Sequence, residues 1–582
     1  MTALRRADPE TRPARPADPR VRLALLAAGA VLFLASLGQT SVSTALPIIV
    51  GDLGRLDHVA WVVTAYLLAA TVGAPIFGKL GDLFGRRAAM RAGIALFLVG
   101  AVICGLAVGL WMLIVGRFLQ GLGGGGLIVV AMATVADVLP PRRRGRAQGA
   151  LGAVFGVSTM VGPLAGGLLV EHFGWPWIFW VNLPVALVAL AVLNGALEPA
   201  PAPARRPRID YAGAGCLAVL LGGLVVAAAL VGQPGAGAAL AALAALIPAA
   251  LAGFVTAERR APEPLLPLDL FRINNVLVAN LVGTIVGAAM FGTITFVPMF
   301  MQVVKGATPA VSGLFLVPLM AGLIATSNLA GAHMARSGRY RMLPVLSTLV
   351  LALAMAGLAG ITPQSPAAAI AGWVLLAGLG IGPVISVSVT AIQNAVPRRV
   401  VGVGTASANM FRLIGGSLGT AAFGALFAAG LAERLAAGGL AALGPGQLTG
   451  AALAGLDPSR RQAVAEAVAA ALHPVFWWAA VLALAASAAA LRMRETPLAD
   501  ERADCGADYG ADFGANEPGD ERGDEPVAVR AVLRTDLGTG CGAGYGPDPA
   551  LDPGTDPGAA ARAAGRGGPP PGRPDAAPGP AP

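Results

Sequence analysis

The chain is 582 residues long, 56% hydrophobic and only 13% charged, with 79 glycines and a mean hydropathy of +0.70. Apolar runs of about 20 residues, the length that crosses roughly 30 Å of hydrocarbon, recur along most of it. They are too numerous for one globular core, so the composition predicts a polytopic membrane protein. The formal charge of +9 does not indicate nucleic-acid binding, because the basic residues fall in short clusters between apolar runs.

Fourteen membrane-spanning helices are predicted in chain order. Their ranges are 23–48, 59–78, 88–108, 111–136, 147–170, 177–196, 212–232, 236–256, 274–301, 310–334, 342–360, 366–393, 402–430 and 474–491. When the gaps between them are assigned alternately to the two sides of the membrane, one side receives 27 Lys and Arg and the other receives five. The positive-inside rule then predicts that both termini are cytoplasmic, in a protein of the plasma membrane.

An internal repeat predicts how these helices are grouped. GAHMARSGRYR (331–341), after the tenth helix, mirrors GKLGDLFGRRA (78–88), after the second, with Ala335 in place of Asp82. The offset pairs the first six helices with the last six. The chain is therefore predicted to consist of five parts: a cytoplasmic segment 1–22, a six-helix half 23–196, two extra helices in 212–256, a six-helix half 274–491 and a disordered cytoplasmic tail 495–582.

Several other kinds of site do not fit the sequence. Residues 73–79 match the phosphate-loop pattern GxxxxGK, but a spanning helix precedes them and Leu80 stands where a Ser or Thr is needed. The four cysteines have no CxxC spacing, so no metal site is expected. The four histidines are scattered, which argues against an enzyme, and no cofactor is expected. A receptor is disfavoured because the tail does not read as an ordered domain.

Four stretches resemble motifs of the major facilitator superfamily. GKLGDLFGRR (78–87) is similar to its turn between helices 2 and 3, and LIVGRFLQGLGGG (113–125) resembles its helix-4 motif. GVSTMVGPLAGG (156–167) resembles the helix-5 motif of its exporters. LGQTSVSTALP (37–47) together with WPWIFWVNLP (175–184) looks like the fourteen-helix drug:proton antiporter branch.

The resemblance implies an all-α membrane protein with the major facilitator fold, two six-helix halves plus two extra central helices. It also implies a secondary active transporter that works by alternating access and exports small amphipathic compounds, with protons as the expected coupling ion. The 78–87 turn is expected to form a cytoplasmic latch between the halves; its residues are Gly78, Asp82, Gly85, Arg86 and Arg87. The alternative is a basic loop that only sets topology.

The helix-5 motif is expected to let one half rock against the other, because Pro163 removes a backbone hydrogen bond and small residues let helices approach. The residues of this motif are Gly156, Gly162, Pro163, Gly166 and Gly167. Ordinary glycine-mediated packing is the alternative reading.

Arg117 and Arg412 are the only charged residues predicted well inside the bilayer. Because a buried cation is costly there, each is predicted to have a functional role. The predicted substrate pathway is lined by Gln39, Thr40, Arg117, Gln120, Asn182, Asn280, Asn328, Asn409 and Arg412. The family pattern places Asp at Gly38, and no Asp or Glu lies well inside any predicted helix. Glu171 is therefore predicted as a replacement partner for Arg117 or a proton-binding group. Export of an anionic or neutral metabolite, with atypical or no proton coupling, is the alternative.

Overall fold

A computed structural model describes residues 19–42, 45, 49, 52, 60–197, 210–231, 235–437 and 457–496, apart from a few side chains within helices. The predictions for residues 1–18 and 497–582, and hence for nearly all of the tail, lie outside the described residues. Within the described ranges every regular element is a helix. This confirms the predicted all-α fold class.

Fourteen long helices follow one another in the described part of the chain. They are α1 (Pro19–Thr40), α2 (Ala60–Phe84), α3 (Arg86–Gly105), α4 (Leu110–Val138), α5 (Pro141–Phe173), α6 (Asn182–Ala196), α7 (Tyr211–Leu230), α8 (Gly237–Arg260), α9 (Asn274–Val303), α10 (Val317–Ser337), α11 (Met342–Ala359), α12 (Ala367–Ala395), α13 (Val401–Ala437) and α14 (Pro458–Ala490). Short helices Trp177–Trp180 and Pro309–Leu314 precede α6 and α10. Among the described residues, thirteen spans are long and apolar enough to cross a membrane, and α7 is apolar as well.

Several helix ends differ from the prediction. The first predicted helix runs to residue 48, whereas α1 ends at Thr40. Helix α14 begins at Pro458 rather than at 474, and α5 begins at Pro141 rather than at 147. Hydropathy detects only the part of a helix that suits hydrocarbon, so polar turns such as those containing Arg142 or Arg460 continue a helix without an apolar signal.

The helices pack in two groups, which we call the N-terminal group (α1–α6) and the C-terminal group (α9–α14). Helix α4 packs against α1, α2 and α3, while α13 packs against α9 and α14 packs against α11. Gly121 and Gly125 of α4 lie against the backbone of Tyr66 and Ala70 in α2, so the glycines of α4 serve close helix packing. These contacts support the predicted two halves, whose boundaries remain a prediction.

The two extra helices, α7 and α8, pack against each other. Helix α7 also contacts α2 and α13, whereas most of α8 is left uncovered by protein. Because the exposed surface of α8 is mainly Ala, Leu and Ile, it suits contact with lipid acyl chains.

The two groups meet at one end of the bundle, which we call the basic end because Arg86, Arg142 and Arg336 lie there. Helix α2 packs against α13, and α10 packs against α5. The tight turns after α2 and α10 contain Gly85 with φ of 85° and Gly338 with φ of 67°. Both glycines have positive φ values that other residues rarely take, although Gly85 has a ψ of 155° and Gly338 is left-handed helical with a ψ of 2°. This need for glycine explains their matching positions in the sequence repeat.

Candidate functional site: a closed end and two buried arginines

Asp82 joins the two helix groups at the basic end. Its Oδ1 accepts a hydrogen bond from the amide of Gly402 at 2.9 Å, and its Oδ2 accepts one from the amide of Val403 at 3.0 Å. These amides belong to the first turn of α13, where N–H groups have no partner within the helix and the helix dipole favours a negative charge. Asp82 therefore caps a helix that lies 320 residues further along the chain.

Arg86 holds this carboxylate from the other side. Its Nη2 lies 2.8 Å from Asp82 Oδ1, and its Nε lies 2.7 Å from Asp137 Oδ2 at the end of α4. The Asp82 side chain is only 3% exposed, so its charge needs these partners. Arg87 instead donates to the carbonyl of Asn194 at the end of α6, and thus stays within the N-terminal group.

Gly78 and Gly402 make the approach of α2 and α13 possible. A Cβ at Gly78 would lie 2.8 Å from the carbonyl oxygen of Gly402, closer than real side chains come. A Cβ at Gly402 would meet Asp82 Oδ1 and Arg86 Nη1 at 2.5 Å each. The predicted latch residues Gly78, Asp82 and Arg86 therefore all contribute to one contact, and their role in transport remains a proposal.

A second polar layer at this end was missed by the sequence reasoning. Gln148 of α5 donates to Gln393 Oε1 of α12 at 3.2 Å, and Gln393 donates to Thr405 of α13 at 3.1 Å. Arg144 donates to the carbonyl of Gln393 at 3.2 Å. Arg144 and Gln148 stand four residues apart, on one face of a helix whose other residues are mostly small and apolar, and that spacing was the available signal.

Helix α5 faces α10 through small residues. A Cβ at Gly149 would lie 2.7 Å from the carbonyl oxygen of Ser327, and one at Gly152 would lie 2.8 Å from Ser327 Oγ. Gly156 lies against Ile324 in the same way. The spacing of three to four residues puts these glycines on one helix face, so only Gly156 of the predicted motif belongs to it.

The remaining residues of the predicted helix-5 motif have other surroundings. Gly162 lies against the side chain of Thr40 in α1, Gly166 is buried, and Gly167 has open space where a side chain would be. The side chain of Pro163 lies outside the described residues.

Arg117 is buried inside the N-terminal group. Its Nη1 donates to the carbonyl of Gly38 at 2.8 Å and to Gln120 Oε1 at 2.7 Å, and its Nε donates to the carbonyl of Val62 at 3.3 Å. The guanidinium also lies 4.2 Å from the centre of the Tyr66 ring. These neutral partners from α1, α2 and α4 make Arg117 a link between three helices of one group.

The position of Gly38 explains how this chain differs from the family pattern. A Cβ there would lie 2.9 Å from an edge carbon of the Phe97 ring, so the ring occupies the space that a carboxylate side chain would need. The Gly38 carbonyl binds Arg117 instead. Glu171 is exposed near the end of α5 and is not among the partners of Arg117 in this conformation, so its role stays a prediction.

Arg412 has a different environment. It is 9% exposed, and its Nη2 donates to Asn409 Oδ1 one turn earlier in α13. Its guanidinium lies 6.0 Å from the centre of the Phe155 ring in α5, across the boundary between the two groups. No Asp or Glu among the described residues pairs with it.

The other predicted pathway residues are dispersed. Asn280 donates to Ser407 at 3.2 Å, which joins α9 to α13. Asn182 donates to the carbonyl of Ile178 in the short helix before α6, and Asn328 donates to the carbonyl of Ile324 in α10. Thr40 donates to the carbonyl of Ser36 in α1. Gln39 is half-buried. Whether these side chains line a pathway remains a prediction. Among the described residues, no group of three His, Cys, Asp or Glu is arranged to hold a metal ion.

Comparisons with known proteins agree with this architecture. The chain is 38% identical to an uncharacterised MFS-type transporter of Mycobacterium tuberculosis over 479 residues, which are 81% of this chain and 69% of that one. It is 34% identical to the multidrug transporter protein MdtP of Bacillus subtilis, covering 68% of this chain and 73% of that protein. It is also 34% identical to the tetracenomycin C resistance and export protein of Streptomyces glaucescens, covering 69% and 75%.

The fold itself has solved counterparts. The human organic anion transporter MFSD10 superposes with a TM-score of 0.55 over 80% of this chain and 100% of that one, at 15% sequence identity, a likeness that concerns the fold alone. The family model of the Major Facilitator Superfamily matches residues 28–420. The chain therefore belongs to the major facilitator superfamily, and it is a multi-pass membrane transporter of small molecules.

Proposed function

We propose that this protein exports small amphipathic compounds from the cell by alternating access. The protein lies in the plasma membrane with its basic end facing the cytoplasm. Both termini are also cytoplasmic, as the positive-inside rule predicts. Relatives named as a multidrug transporter and as a tetracenomycin C resistance and export protein support transport out of the cell.

The closed basic end is the observation that carries this proposal. Alternating access needs a contact that seals one side of the pathway and can be broken. The hydrogen bonds from Gly402 and Val403 to Asp82 and the layer around Gln393 supply such a contact between the two groups. Each hydrogen bond stabilises the contact by a few kcal/mol at most, so the contact can open and re-form during a transport cycle.

Inside-out vesicles test the export directly. Vesicles that contain the protein should accumulate an amphipathic fluorescent dye when energised, and empty vesicles should not. Running the assay with and without an imposed pH gradient measures proton coupling in the same experiment. If no dye among cationic, neutral and anionic probes accumulates, the proposed export is wrong.

A cross-link tests whether the basic end must open. Arg142 donates to the carbonyl of Arg336 at 3.0 Å, and both side chains reach the surface. In a chain without its native cysteines, the R142C/R336C pair joined by a short bis-methanethiosulfonate linker should stop transport until the two disulfides to the linker are reduced. Each single variant is the control, and full transport by the cross-linked protein would contradict alternating access through this end.

Glu171 is proposed as a proton-binding group at the far end of α5. Glu171→Gln should flatten the dependence of transport on the pH gradient while leaving the amount of folded protein unchanged, because the side chain is exposed. An unchanged gradient dependence would remove Glu171 from the coupling.

A further inference from the structure

The buried pair Arg412 and Asn409 has hydrogen-bonding capacity that the described part of the protein leaves unused. Because a guanidinium can only donate, the Asn409 oxygen must be the atom that faces Arg412, and this fixes the orientation of the amide. The Asn409 Nδ2 is then left buried without a hydrogen-bond partner, in a side chain that is 2% exposed. An unpaired buried donor is costly, so a ligand that accepts from it is favoured.

The charge of Arg412 points to the same kind of ligand. Within the described residues, Arg412 has one side-chain partner, the neutral Asn409, and an aromatic ring at 6.0 Å. Arg117, by contrast, is bonded to two backbone carbonyls and an amide within one helix group. A buried cation without a counter-ion binds an anion strongly, because the low dielectric constant of the surroundings screens the attraction little.

The pair also lies at the depth and boundary where a transported molecule would be held. Arg412 is ten residues beyond Gly402 in α13, and Phe155 is ten residues beyond Gly145 in α5. At 1.5 Å per residue, both lie about 15 Å from the contact at the basic end, roughly the middle of a bilayer core of about 30 Å. Phe155 belongs to the N-terminal group and Arg412 to the C-terminal group, so a molecule between them touches both.

We propose that Arg412 and Asn409 form a binding site for the carboxylate of an amphipathic organic acid whose apolar body packs against Phe155. The guanidinium supplies the charge and the Asn409 amide supplies a further hydrogen bond. This inference rests on the proposed export function, since it names the class of compound that is exported.

Equilibrium binding separates this inference from the transport assay. Protein in lipid nanodiscs is titrated with pyrenebutyrate and with its neutral amide, and quenching of tryptophan fluorescence is recorded. We expect the carboxylate to bind at least about tenfold more tightly than the amide, the gain that a hydrogen bond to a charged group provides. Arg412→Gln should abolish this preference, so that both probes bind alike, and Arg412→Lys should keep part of it.

Arg434→Gln is the matched control, because it removes the same charge from the same helix 22 residues away. Within the described residues, Arg434 bonds only to the carbonyl of Gly430 in its own helix, so this variant should keep the full preference. If Arg412→Gln does not fold, Asn409→Leu tests the site by itself and should lower carboxylate affinity severalfold while sparing the amide. Equal binding of the two probes by the unmodified protein, or an undiminished preference in Arg412→Gln, would overturn the inference. Accumulation of only cationic or neutral dyes in vesicles would leave the export function standing and the carboxylate site refuted.

Discussion

The contacts of α2 with α13 and of α10 with α5 are counterparts in the internal repeat, yet they are held differently. Gly78 lies against the carbonyl of Gly402, and Gly331 lies against the carbonyl of Gly145, so both pairs of helices approach through glycine. Only the first contact has a carboxylate, Asp82. In the second contact the corresponding residue is Ala335, and the bond across it runs from Arg142 to a backbone carbonyl.

The difference follows from where the partner helices begin. Gly402 is the second residue of α13, so its amide and that of Val403 have no acceptor inside the helix and bind Asp82. Gly145 is the fifth residue of α5, beyond the four amides that lack an intrahelical partner. A carboxylate at this end is thus required by free amides in the opposing helix, and its absence from the second copy is not a defect.

The largest effect is expected for Asp82→Ala. The substitution leaves two amides at the α13 terminus without partners and removes one of the two carboxylates that hold Arg86. Since each unsatisfied buried amide costs about 1–3 kcal/mol, the closed basic end should lose at least tenfold in population. Transport per molecule should fall about tenfold or more, while the amount of protein in the membrane changes little.

A reporter in the second contact, between α10 and α5, checks whether loss of Asp82 opens the basic end as a whole. Ser327 is fully buried between α10 and α5, so Ser327→Cys should react slowly with a water-soluble maleimide and faster when combined with Asp82→Ala. Asp82→Asn keeps one hydrogen-bond acceptor, so the labelling rate of Ser327→Cys combined with Asp82→Asn should lie between the rates of Ser327→Cys alone and with Asp82→Ala. Unchanged labelling in the presence of Asp82→Ala, or an equal loss of transport and abundance, would make Asp82 a structural residue only.

The next effect should be shared by the two contacts, because both depend on close backbone approach. Gly78→Ala and Gly331→Ala each place a Cβ against a carbonyl oxygen of the opposing helix and force the helices apart. We expect each to reduce transport severalfold. Gly167→Ala is the control, since a side chain there meets open space, and it should transport normally. If Gly78→Ala reduces transport and Gly331→Ala does not, the contact between α10 and α5 does not seal the pathway.

A smaller effect, again shared, is expected at the turn glycines. Gly338 (φ 67°, ψ 2°) is left-handed helical, where an alanine is strained by roughly 1–2 kcal/mol. Gly85 (φ 85°, ψ 155°) lies in a region nearly restricted to glycine, where an alanine costs on the order of 1–3 kcal/mol. Gly85→Ala and Gly338→Ala should each lower the Tm of the purified protein by a few degrees. The decrease in Tm should be the larger one for Gly85→Ala, and an unchanged Tm in either variant would show that its turn can relax.

The sequence predicted the helices and the basic turn well, because hydropathy, arginine placement and the glycine at each tight turn are local signals. It predicted that Asp82 needs a partner but not that two of its partners are the amides of residues 402 and 403, since that depends on where α13 begins. The partners of Arg117 were also missed. A backbone carbonyl such as that of Gly38 is present at every residue, so no side chain in the sequence marks it as an acceptor.

The smallest effect is expected for Ala335→Asp, which gives the second contact the carboxylate of the first. The new side chain would face amides already used within α5, so it should gain no pair of backbone hydrogen bonds. It would also add a negative charge near the C-terminus of α10, which costs about 0.3–1 kcal/mol and offsets attraction to neighbouring arginines. Transport should stay within about twofold of the unmodified protein, and Ala335→Asp should not restore transport to Asp82→Ala. Recovery of transport in the double variant would show that a carboxylate on either copy closes the basic end, and that the start of α13 does not decide where it is needed.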